Sequence, residues 1–196
     1  MPLILILVIS LAPVVFALLA YYVPSLGLRP AGTDNYGALV QPQRPMPDST
    51  ALSLTNLDGT PYDLSELRGQ WLLLSADNAI CPESCVRKLF ILRNSHASQG
   101  KEVERLSRVW FVLDDGVVPA QILDAYKGTH MLRADPGQLA QFLTPDAASE
   151  TVHNALKGPM WIIDPLGNLM MQFPADADPL KVRDDIRKLL RNSRIG

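Results

Sequence analysis

Apolar and polar positions fall into three regimes along the chain. From Leu3 to Val23 no residue is charged and nearly all are apolar. A helix rising 1.5 Å per residue over about 21 such residues covers the ~30 Å hydrocarbon core of a bilayer. From Ser25 to Thr50 the apolar period disappears, and prolines recur at positions 30, 42, 45 and 47. That composition predicts an extended, semi-stiff linker. From Ala51 onward, short apolar runs alternate with stretches of helical spacing, the signature of an α/β sheet.

Within that last regime the elements follow in order. Ala51–Thr55 and Pro61–Leu64 flank Asp58-Gly59, a hairpin signal. Trp71–Ala76 is almost continuously apolar, as a strand buried on both faces should be. Glu83–Ala97 has helical spacing, and Arg108–Leu113 is a second buried strand ending at Asp114-Asp115-Gly116. Pro119–Tyr126 starts with a proline suited to a first helical turn. His130–Leu132 reads as a short edge-like strand and Pro136–Leu143 as a helix. Trp161–Asp164 and Leu169–Phe173 flank Pro165-Leu166-Gly167-Asn168 as a second hairpin, and Pro179–Leu190 closes the chain as an amphipathic helix.

The chain has 196 residues and a net charge of −2, with both signs mixed throughout. This leaves room for one ordinary domain behind a membrane segment. No basic stripe asks for nucleic acid and no acidic tail signals disorder. For the first segment, a cleavable signal peptide competes with a retained single-span anchor. Signal apolar regions usually span about 7–15 residues behind a basic start, whereas only Met1-Pro2 precedes this one. Tyr21 and Tyr22 suit a membrane interface. The expected organisation is therefore an anchor over 1–24, a proline-rich linker over 25–50 and a folded domain over 51–196. The Met1 amine and Arg29 nearly balance, so charge does not orient the anchor.

Cys81 and Cys85 are the two cysteines of the chain. They follow the Trp71–Ala76 run and open the next helical segment. A strand-to-helix junction lends positive potential that favours thiolate, and thiols four apart on a helix share a face. The pair can meet each other or one soft metal ion. A disulfide closing so short a loop removes little unfolded-chain entropy, so a staple role is a weak alternative. Exchange chemistry would make Cys81 the attacking thiolate and Cys85 the resolving one, with Glu83 between them opposing thiolate formation. Two lone cysteines in redox register fit an oxidising, extracytoplasmic compartment, here the periplasmic side of a cytoplasmic membrane.

The order strand, cysteine pair, helix, strand, helix, hairpin, helix is a thioredoxin-like layout. Leu54, Leu57-Asp58-Gly59 and Tyr62-Asp63-Leu64-Ser65-Glu66-Leu67-Arg68-Gly69, then a strand and C-x3-C, resemble the Sco/SenC family. These are membrane-anchored, thioredoxin-fold proteins of cytochrome c oxidase assembly. Trp161 to Asn168 resembles the family's late hairpin. The resemblance implies copper held by Cys81, Cys85 and one histidine shortly before that hairpin. Here that position falls on Leu156, and the nearest histidine is His153, three residues earlier. His153 serves as a metal ligand only if the intervening segment is remodelled; otherwise it is a solvated loop histidine. Lys157-Gly158-Pro159 resembles the glycine–proline that thioredoxin-like reductases place opposite their cysteines, with the proline cis. A plain turn proline at a strand start is the alternative for Pro159.

Other residues carry blander expectations. His96 and His130 read as surface groups, Met160, Met170 and Met171 as core filler, and Asp114-Asp115 as a turn. Three functions remain open. The first is a Sco/SenC-like assembly factor that keeps oxidase copper-site cysteines reduced or delivers Cu(I) to them. The second is a membrane-tethered thiol–disulfide oxidoreductase with other thiol-containing clients. The third is a non-catalytic relative acting through protein contacts.

Overall fold

Residues 2–23 and 34–196 are described by the structure, a computed structural model. Pro2–Tyr22 form helix α1, with Pro13 inside it. Among the described residues it is the one helix long and apolar enough to cross a membrane, by length and composition. Its aromatic end carries Tyr21 and Tyr22 in edge-to-face contact. The part of the expected linker from 25 to 33 lies outside the described residues.

Asn35–Gly196 form a separate compact unit. Its eight strands make one mixed sheet in the order β1-β8-β7-β4-β5-β6-β2-β3. In chain order they are β1 (Ala38–Pro45), β2 (Leu54–Asn56), β3 (Pro61–Tyr62), β4 (Trp71–Asp77), β5 (Leu106–Val112), β6 (His130–Ala134), β7 (Met160–Ile163) and β8 (Asn168–Phe173). The helices are α2 (Glu83–Ala97), α3 (Ala120–Ala125), α4 (Pro136–Leu143), α5 (Val152–Lys157) and α6 (Pro179–Asn192). The three central strands β4, β5 and β6 run parallel, and β7 joins β4 antiparallel with Met160 opposite Ser75. This is the thioredoxin-like α/β fold that the element order predicts.

Alternation along the strands divides the core in two. Leu72, Leu74, Ala76, Val109 and Phe111 face one side, where Leu139, Leu143 and Leu156 from α4 and α5 cover them. Trp71, Leu73, Leu106, Trp110 and Val112 face the other, beneath Leu89 and Leu92 of α2 and Val182 and Ile186 of α6. β4 is buried at every position, which explains why it reads as an unbroken apolar run.

Two features depart from the sequence pattern. Ala38–Pro45, inside the expected linker, is a strand: Leu39 lies opposite Met171 and Arg44 opposite Leu169 of β8. An edge strand needs a ladder on one side alone, so Pro42 and Pro45 are tolerated there, and the register slips between Leu39 and Arg44. The folded unit therefore begins before Ala51. The second departure is α5, one and a half turns whose N-cap Thr151 makes no side-chain capping bond and which burial of Leu156 holds.

The start of this unit is fastened by a carboxylate. Asp185 of α6, 3 % exposed, accepts hydrogen bonds from the Tyr36 and Gly37 amides at 2.8 and 2.9 Å. Tyr36 stacks on Phe173, and a side chain at Gly37 would meet Met171 Sδ at 2.6 Å. Asp185→Ala leaves these amides without an acceptor, so the urea midpoint should fall by the equivalent of about 1–3 kcal/mol. Asp185→Asn, which keeps one acceptor oxygen, should lose less.

Candidate functional site

Strand β4 delivers the chain to the cysteines at the carboxyl end of the parallel strands, where α/β sheets place their chemistry. Asp77 ends the strand, and Cys81 N–H donates to the Asn78 carbonyl at 3.0 Å, closing a tight turn. The neighbouring strand contributes Asp114, whose Oδ1 accepts from the Ala79 amide at 3.0 Å and from Gly116 N–H at 3.2 Å. Asp114 thus builds its own turn, as expected, and also ties it to the cysteine loop.

Cys81 and Cys85 are joined as a disulfide with Cα atoms 5.1 Å apart. They do not share a helix face. The helix begins at Glu83 behind Pro82, so only Cys85 is helical. Cys81 lies outside it with φ +46°, the one non-glycine residue with positive φ among those described. A left-handed L-residue costs on the order of 1–2 kcal/mol, and such strain collects at functional sites when the surroundings enforce it. Cys81 is 6 % exposed and Cys85 1 %, so an incoming group meets Cys81 first.

The loops next to the pair expose two apolar side chains. Ile80 and Val117 stand out from the two linked loops at 75 % and 87 % exposure. An open cleft of about 570 Å³ along the first turns of α2 is lined by Glu83, Ser84, Val86, Arg87, Phe90 and Tyr126. Glu83 occupies the first turn of α2, where it complements the helix dipole while opposing a nearby thiolate.

Between the end of β4 and the buried stripe of α2 lies an ion pair that the element pattern did not single out. Lys88 Nζ sits 3.1 Å from Asp77 Oδ2, with side chains 4 % and 2 % exposed. The ammonium also donates to the Ala76 carbonyl at 2.8 Å and to the Lys157 carbonyl. Burial pushes the Lys88 pKa down, and Asp77 only partly offsets it. The signals were legible: Asp77 ends an apolar strand, and Lys88 falls on the buried stripe Cys85, Leu89, Leu92 of α2.

The remaining predicted residues are not gathered at the cysteines. His153 is exposed on α5 and lines a separate cleft with Pro136, Thr144 and Val152. Leu156 is buried in the core on the opposite face of the sheet from the cysteines. Among the described residues no three His, Cys, Asp or Glu side chains converge as a metal site. His153 is thus an exposed residue of an ordered helix rather than of a loop. Pro159 precedes β7 at the same end of the sheet as the cysteine loop, since Met160 pairs with Ser75. Its peptide bond is trans; the one cis bond among the described residues is Gln41–Pro42. His96 and His130 are half-buried rather than on the surface, and burial lowers both pKa values, with Arg108 lowering them further. Met160 and Met171 are core residues.

Comparison with known proteins follows this geometry. Residues 71–193 match the family described as transmembrane-like, thioredoxin-like, C-terminal domain. No curated protein matches the chain. Among solved structures, yeast Sco1 with copper bound aligns at a TM-score of 0.53 and 13% identity, covering 81% of this chain and 90% of that one. Apo Sco1 from Thermus thermophilus gives 0.52 and 15%, covering 83% and 98%. Arabidopsis thaliana ScoI with copper bound gives 0.50 and 16%, covering 81% and 99%. At these identities the likeness establishes the fold.

Proposed function

This chain belongs to the transmembrane-like, thioredoxin-like C-terminal domain family, and from that membership we propose a membrane-anchored thiol–disulfide exchange protein of the Sco/SenC type. The observation that carries this reading is the Cys81–Cys85 disulfide at the end of the central strand, with Cys81 outermost in a left-handed backbone. Helix α1 would hold the protein in the cytoplasmic membrane, with the domain on the periplasmic side, where such a pair can persist oxidised.

The exchange balances as two displacements. A client thiolate attacks Cys81 Sγ, the Cys81–Cys85 bond breaks, and Cys85 leaves as a thiolate. A second client thiolate then attacks the client sulfur of the mixed disulfide and releases Cys81. The client is oxidised by two electrons and the pair reduced; run in reverse, the reduced pair reduces a client disulfide. Ile80, Val117 and the Phe90–Tyr126 cleft would bear on the client chain around its cysteine. Reduced, the same two sulfurs offer soft ligands that suit two-coordinate Cu(I) as cargo. A copper-site cysteine pair of a cytochrome c oxidase subunit is the client we propose. His153 has no part in this. Thiol exchange is the core activity of this reading, and other thiol-containing clients are the second reading.

Equilibration in glutathione buffers should give one two-electron transition above about −300 mV, in the range of exchange-active pairs. Anaerobic Cu(I) should bind only the reduced protein, equally in wild type and His153→Ala. A potential well below that bound makes the disulfide structural and overturns the exchange reading. Copper binding weakened by His153→Ala overturns the two-sulfur site.

A further inference from the structure

On the same face as the cysteines, but toward the other end of the sheet, lies a cation without a counterion. Arg108 of β5 is 8 % exposed. Its Nη2 donates to the Lys127 carbonyl at 3.1 Å, and its buried Nε finds no acceptor among the described residues. Its titratable neighbours are basic and not acidic: Arg93 on α2, His96 near the end of that helix and His130 on β6. Arg93 Nη1 donates to the Ala125 carbonyl at 3.1 Å, and its guanidinium lies over the Phe90 and Tyr126 rings. No carboxylate forms an ion pair with either arginine among the described residues.

A buried charge is ordinarily paired, because desolvation is expensive without compensation. Lys88, on the same side of the sheet, follows that rule through Asp77; Arg108 does not. The backbone beside it is shaped for close approach. Gly128 has φ +81°, and a Cβ there would lie 3.0 Å from Arg108 Nη2, so the guanidinium packs tightly against this turn. A protonated His96 ring presents two N–H donors. Guanidinium forks match oxyanions bidentately, and charge-assisted bonds of this kind are the strong ones.

We propose that Arg108, Arg93 and His96 form a binding site for a phosphate-type oxyanion, supplied either as a free anion or as a lipid headgroup. The bound anion neutralises the buried guanidinium and stabilises the His96 imidazolium. It stands apart from the disulfide and does not depend on the exchange reading.

The test follows the His96 ring proton by NMR in the full chain. In uncharged detergent, inorganic phosphate is titrated against chloride at matched ionic strength. In a second arm, nanodiscs of phosphatidylcholine are compared with nanodiscs containing phosphatidylglycerol. Binding should raise the His96 pKa saturably and raise the thermal midpoint, with both effects lost in Arg93→Gln and Arg108→Gln. Arg93 is only half-buried, so its variant keeps the test decisive if Arg108→Gln fails to fold. A response to phosphate assigns a free anion, and a response to phosphatidylglycerol alone assigns a headgroup. No response beyond the controls in either arm, or an equal response in Arg93→Gln, overturns the site.

Discussion

Cys85→Ser should convert the protein into a trap that accumulates as a mixed disulfide through Cys81, whereas Cys81→Ser should lose exchange altogether. The asymmetry follows from placement. Cys81 lies ahead of the helix and carries what exposure the pair has, while Cys85 sits in the first turn of α2, packed in the core. With serine at 85, Cys81 still pairs with an external sulfur, but no internal thiolate can displace it. Resolution then falls to external thiols and should slow by several orders of magnitude, the usual advantage of an oriented intramolecular attack. Non-reducing electrophoresis and mass spectrometry of the two variants after exposure to a client disulfide will read this. Equal trapping through Cys85 in Cys81→Ser would reverse the assigned order of attack.

How much of this was legible in sequence depends on the range of the interactions involved. The alternation of β4, β5 and β6 with helical segments is local, and it specified the thioredoxin-like sheet. Strand β1 was not legible, because edge pairing with β8 is a long-range contact and Pro42 and Pro45 mask any period. Helix α5 was missed for a related reason. Six residues without a side-chain capping bond have little intrinsic helicity, and burial of Leu156 supplies what propensity does not.

The site divides in the same way. The C-x3-C spacing announced the cysteine pair, yet it implied a shared helix face, whereas Pro82 delays the helix and leaves Cys81 left-handed. Leu156 is a core residue on the face of the sheet across from the cysteines, a side that spacing along the chain does not reveal. Asp114 read correctly as a turn residue, but its bond to the Ala79 amide crosses 35 positions of chain. A turn motif carries no trace of such a partner.

The buried Lys88–Asp77 pair carries the largest stability effect. Lys88→Met should destabilise the oxidised domain by about 3–5 kcal/mol, because it strands a buried carboxylate. It also removes the donor that joins the Ala76 carbonyl of β4 to the Lys157 carbonyl ahead of β7. Asp77→Leu alone should cost a similar amount by leaving the ammonium uncompensated. The double variant should recover much of the loss, since burial already outweighs the attraction of Asp77 in setting the Lys88 pKa. Two apolar side chains escape that desolvation cost, whereas each single variant keeps one charge and loses its partner. Urea denaturation of the four proteins closes the cycle, and the expected sign is strongly non-additive. Additive losses would mean that the carbonyl bonds of Lys88, rather than its charge pairing, hold β4 and the segment before β7 against the cysteine helix.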